Sequence, residues 1–150
     1  MLPQSDERSS DLFDDLDPVV RGLGYSIVEL SAARRQGVFH VVLVIYRDDG
    51  VIVQACADIH RAIYPRLEVL HPDADIQLEV SSPGIYRNFK SPREFAIFAG
   101  CRVKLLLEGE GEWRKGIIGT SSGASVSLDS DGSVLEVDFA VIRKAKLDYP

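Results

Sequence analysis

Long apolar runs are missing from this sequence: the longest, Val41 to Tyr46, is six residues, against the roughly 20 needed to span a bilayer as a helix. Cysteine is scarce as well. Cys56 and Cys101 stand 45 positions apart, which makes neither a disulfide framework nor a CxxC metal half-site and reads as two reduced thiols of a cytoplasmic protein. The opening residues, Met1 to Glu7, carry no basic segment leading into an apolar one, so no secretory leader is expected. Lysine is absent before Lys90. Residues 1–88 hold 14 acidic residues against 8 arginines, and residues 89–150 hold 9 of each sign, so the net charge of -6 lies in the first part. That asymmetry implies two units of different composition and excludes a uniformly basic nucleic-acid binder. An acidic unit repels phosphate at long range but suits a basic protein partner.

Signatures of catalysis are also missing. His40, His60 and His71 have no second histidine at metal-ligand spacing. There is no S-x-x-K. The glycines of Gly109-Glu110-Gly111 alternate with glutamates that would repel phosphate, and no P-loop lysine follows, so the segment reads as a hairpin turn. The carboxylate pairs Asp14/Asp15, Asp48/Asp49 and Asp129/Asp131 decorate a helix or turns. No enzyme, cofactor or metal is expected.

What is present is an apolar fraction of 45% with 27% charged residues, ample for a folded core. The fold class is α+β in two small domains. Leu12, Leu16, Val19, Val20 and Leu23 form a helical stripe over Asp11 to Leu23, with Pro18 expected to kink it or reset its start. Strands follow over Tyr25 to Ser31 and Val38 to Tyr46; the second is apolar nearly throughout, as befits a strand covered on both faces, or nearly so. Val53 to Leu70 returns to helical spacing through Cys56, Ile59, Ile63, Leu67 and Leu70, with a kink or break expected around Arg61 to Pro65. Ile76 to Val80 closes an α-β-β-α-β domain, residues 1–88, whose first ten residues are expected to be disordered. Residues 89–100 read as a linker with a short helical turn. From Cys101 to the end, five short strands with Gly-rich turns predict a small SH3/Sm-like barrel that removes its edges by closing. Between the domains, Ser81, Ser82, Pro83 and Gly84 form a turn motif, with Gly84 expected at positive φ.

One stretch offers binding chemistry. Arg87, Lys90 and Arg93 recur every three residues with Tyr86 and Phe89 interleaved, followed by Arg102 and Lys104 on one strand face. Such a stretch contacts phosphates and stacks on bases, or is an ordinary solvated face; the sequence leaves both open. Arg143, Lys144 and Lys146 on the last strand are equally ambiguous.

The heptapeptide Leu78-Glu79-Val80-Ser81-Ser82-Pro83-Gly84 resembles the signature of the bacterial ribosome maturation factor RimP family. Leu23-Gly24-Tyr25, Cys56, Phe95, Gly100 and Ile142-Arg143-Lys144-Ala145-Lys146-Leu147 extend the resemblance over residues 11–147. The chain departs from the family pattern at Ile85-Tyr86-Arg87-Asn88-Phe89, and in the second helix at Ala55, Ile59-His60-Arg61 and Pro65. The resemblance implies an α/β N-terminal domain and an SH3- or Sm-like barrel. It also implies a cytoplasmic, monomeric, non-catalytic assembly factor that binds the immature small ribosomal subunit. Its implied partners are ribosomal RNA and a small-subunit ribosomal protein beside the decoding centre. The candidate ribosome-contacting residues are then Arg87, Lys90 and Arg93 for RNA, with Asp14 and Asp15 for a basic protein. The alternative is a stand-alone RNA chaperone built on an Sm-like barrel.

Overall fold

The computed structural model describes residues 7–148. They form two compact units, divided between Pro83 and Gly84.

The first unit has the expected order: α1 (Glu7–Gly22), β1 (Ser26–Arg35), β2 (Val38–Tyr46), α2 (Val53–Leu70) and β3 (Asp75–Ser81). The disorder expected for residues 1–10 lies outside the described residues at 1–6, while residues 7–10 belong to α1. In the sheet, order β1-β2-β3, β2 pairs antiparallel with β1 and parallel with β3. Alternation puts Phe39, Val41, Leu43 and Ile45 on one face, where they join Leu12, Leu16 and Val20 of α1 and Ile59, Ile63 and Leu67 of α2. Full coverage of β2 on its second face does not hold: His40 is exposed and Val42 half-buried, flanked by the polar Gln77 and Glu79 of β3. Neither proline breaks its helix. α1 runs through Pro18 and α2 through Pro65. Both prolines are exposed, so the carbonyl each leaves without its helical donor lies on the solvent side of its helix.

The second unit contains α3 (Glu94–Ile97), β4 (Arg102–Leu107), β5 (Arg114–Ser121), β6 (Ser125–Ser130), β7 (Ser133–Asp138), a 3-10 turn (Phe139–Val141) and β8 (Ile142–Leu147). Its antiparallel sheet has the order β7-β6-β5-β4-β8. Asp131 and Gly132, at φ 53° and 87°, make the two-residue hairpin between β6 and β7, the conformation in which an Asp-Gly pair matches strand twist. The 3-10 turn then carries the chain to β8, which pairs with β4. Closure through strand pairing is not reached: β7 and β8 occupy the two ends of the sheet, so the unit is barrel-like but open.

The segment expected as a linker is part of this unit. Phe89, Phe95 and Phe98 are buried, with Phe89 4.8 Å from Phe95 and 5.2 Å from Phe98 between ring centroids, and Phe95 5.5 Å from Phe139. Phe89 N donates to Ala145 O at 2.8 Å, and Leu147 N donates to Arg87 O at 3.0 Å. The boundary therefore precedes the expected one at residue 88, because three phenylalanines need a core. Gly84 is corrected as well. It is not among the glycines at positive φ, and a Cβ there would meet nothing within 4 Å. Its carbonyl accepts from Arg87 N at 3.1 Å, making it the first residue of a turn rather than the strained one.

Candidate nucleic-acid interface

On β4, Val103, Leu105 and Leu107 point into the core, so Arg102, Lys104 and Leu106 point out. The register makes this outward face basic. Lys104 stands opposite Lys115 of β5 on one side and opposite Lys146 of β8 on the other; Lys144 of β8 faces Leu106. A row Lys115–Lys104–Lys146 thus crosses three strands, flanked by Arg102 and Lys144. Directly opposed residues have Cβ atoms about 4.5–5.5 Å apart, and like charges so placed are destabilising, by up to roughly 1 kcal/mol per pair. The row costs stability that an anion would return.

Trp113, half-buried just before β5, takes up part of that charge. Lys104 Nζ lies 5.0 Å from the ring centroid and Lys146 Nζ 5.8 Å, contacts worth roughly 0.5–1 kcal/mol each at exposed sites. Trp113 and Lys115 also line an open groove of about 540 Å³ with Glu110, Glu112, Leu128 and Ser130. Glu110 is held by Arg114, which donates from Nε at 3.0 Å and from Nη2 at 2.7 Å. Those hydrogen bonds keep the Glu110 carboxyl below the usual carboxylate range and raise the Arg114 guanidinium.

The residues singled out by sequence fall elsewhere. Arg87 turns inward: its Nε donates to Glu94 Oε1 at 2.7 Å, and the two side chains are 8% and 1% exposed. It is a structural cation and not a solvent-facing one, and Phe89 is likewise unavailable for stacking on a base. Lys90 is exposed and Arg93 half-buried. The three do not form one stripe, because only Glu94–Ile97 of this stretch is helical. Asp14 and Asp15 are exposed on α1 beside the exposed Asp11. Ser81 ends β3 opposite Val44, and Ser82 and Pro83 lead into the turn at Gly84.

Three functional or organising residues escaped sequence reasoning. Lys115 and Trp113 join Arg102, Lys104, Lys144 and Lys146 only through the strand register. Glu94 did leave a local signal. Ser91-Pro92-Arg93-Glu94 is a capping-box sequence, and Glu94 Oε2 accepts from Lys90 N at 2.8 Å and Ser91 N at 3.0 Å. Among the described residues there is no group of His, Cys, Asp and Glu fit to hold a metal ion, and no helix long and apolar enough to cross a membrane.

Comparison with known proteins agrees with this architecture. A family model for the RimP N-terminal domain matches residues 15–86. The ribosome maturation factor RimP of Borrelia hermsii (strain HS1 / DAH) is 33% identical over 139 residues, covering 93% of this chain and 95% of that protein. The same-named protein of Borrelia recurrentis (strain A1) is 32% identical over the same span, and that of Borrelia turicatae (strain 91E135) 30%. With this identity running through both units, the chain belongs to the ribosome maturation factor RimP family.

Proposed function

We propose that this protein is a cytoplasmic, monomeric assembly factor that binds the immature small ribosomal subunit and assists its maturation without catalysing a reaction. Its relatives are named as ribosome maturation factors over nearly their whole length. The observation that carries the reading is the lysine row of the second unit, a concentration of opposed positive charge in a chain of net charge -6. It suits the phosphates of ribosomal RNA. The exposed carboxylates Asp14 and Asp15 on α1 suit a basic small-subunit ribosomal protein, such as one beside the decoding centre. Lys90 and Arg93 add cations to the RNA-facing set. Arg87 serves the reading indirectly, by fixing the segment that carries them to Glu94.

Binding to precursor small subunits across a salt series tests this. Replacing Lys104, Lys115 and Lys146 together by Gln should lower the slope of log affinity against log salt by about 2–3, at roughly 0.7–0.9 per phosphate contact. Asp14→Asn with Asp15→Asn should weaken binding with a smaller change in slope. Wild-type affinity and slope in the triple variant would remove the lysine face from the binding site. A ring-forming RNA chaperone would instead use the outer edge of β7, which no strand covers among the described residues. A stable ring in size-exclusion chromatography would favour it, and a monomer the assembly factor.

A further inference from the structure

We propose that the groove beside Trp113 takes an unpaired RNA base, with the adjoining phosphates on Lys104, Lys115 and Lys146, so that this face selects single-stranded over duplex RNA. The proposal rests on the RNA-contacting reading above and adds the form of RNA.

The groove and the lysine row differ in chemistry although Trp113 and Lys115 border both. At about 540 Å³ the groove falls within the range of small-molecule sites, about 300–1,000 Å³. Its lining includes the carboxylates of Glu110 and Glu112, the apolar Leu128, the Ser130 hydroxyl and the indole of Trp113. Arg114 holds Glu110 ionised. With Arg114 and Lys115 also in its lining, the groove is balanced in charge, and it offers a flat apolar wall with acceptors for amino groups. The row alongside is cationic throughout. A nucleotide has the same division: a flat, neutral base bearing donors, joined to an anionic phosphate.

Duplex RNA cannot use this arrangement, because its bases are stacked and paired, and proteins read it mainly through shape, phosphates and 2′-hydroxyls. Unpaired bases can turn out and stack on an aromatic side chain. The ammonium groups of Lys104 and Lys146 occupy cation–π positions at Trp113 in the absence of RNA. A base stacking there displaces a weaker contact, and the released ammonium groups meet phosphates.

Trp113 is the only tryptophan in the sequence, so its fluorescence reports on this site alone. The full-length protein would be titrated with a single-stranded RNA of about ten nucleotides, the matching duplex, and inorganic polyphosphate of equal charge. Saturable quenching by the single strand, with little quenching by the other two at equal occupancy, is expected. Trp113→Ala should lower single-strand affinity by roughly 5- to 140-fold, the worth of one stacked base, without a comparable loss of polyphosphate affinity. Trp113→Phe should keep most single-strand affinity, which separates stacking from misfolding. Equal affinity for all three anions with no quenching would overturn the base site and leave the phosphate-binding reading standing. Failure of all three to bind would overturn both.

Discussion

Removing the Glu94 carboxylate should cost the second unit most of its stability. Glu94 is 1% exposed and accepts three hydrogen bonds: from Arg87 Nε at 2.7 Å, Lys90 N at 2.8 Å and Ser91 N at 3.0 Å. Glu94→Ala leaves the Arg87 guanidinium, itself 8% exposed, without its carboxylate, and breaking a buried pair in this way costs about 3–5 kcal/mol. A unit of this size has only a few kcal/mol to lose, at roughly 0.05–0.15 kcal/mol per residue. At about 4–8 °C per kcal/mol, the unit should melt more than about 10 °C lower or fail to fold. Two signals separate the units. Trp113 fluorescence follows the second, whereas far-ultraviolet circular dichroism is dominated by α1 and α2 of the first. The fluorescence transition should shift and the helical one should move much less. Arg87→Met combined with Glu94→Ala removes the stranded charge, so it should be less destabilised than the single Glu94 variant, although Lys90 N and Ser91 N still lack their acceptor. A Glu94→Ala protein within about 1 kcal/mol of wild type would refute the assignment of the pair as the clasp on this segment.

Gly84→Ala should change stability by less than about 1 kcal/mol, in contrast to Gly132→Ala, which places a side chain at φ 87° and should cost about 1–2 kcal/mol; thermal melts of both variants check the contrast. Glu110→Gln should be less stable than wild type at neutral pH, since hydrogen bonding by Arg114 depresses the Glu110 pKa. A depressed carboxylate stabilises above its unfolded value, 4.5, and that contribution is lost as pH falls through the folded value. The difference in melting temperature between the two proteins should therefore close in acid, and a difference constant from neutral pH to below 4.5 would show that Glu110 acts through packing instead.

Element order was legible because periodicity is a local property. The apolar spacing of α1 and α2, the β-branched run of β2 and the Asp131-Gly132 turn each declare themselves within a few residues. The domain boundary was less legible, since Arg87, Lys90 and Arg93 at intervals of three drew attention to charge in a stretch whose phenylalanines decide its place. A solvated linker has no use for Phe89, Phe95 and Phe98, and the Glu94 carboxylate accepting from Lys90 N and Ser91 N marks an ordered turn before the short helix. Basic spacing is informative only where the backbone repeats, and here it repeats for one short turn. The lysine row was illegible for a different reason. Arg102 and Lys104 show their common face by alternation, and Lys144 and Lys146 show theirs, but nothing local says that β8 pairs with β4 or that Lys115 falls opposite Lys104. Those neighbours are set by strand order and register, which the core dictates through Val103, Leu105, Ala145 and Leu147 on the opposite face. A one-residue slip of β8 would bury Lys146 and expose Leu147, so the packing of the core fixes the arrangement of the charges. The lysine face is a product of the unit's interior, and under the proposed function a core substitution that shifts β8 should weaken RNA binding without touching a lysine.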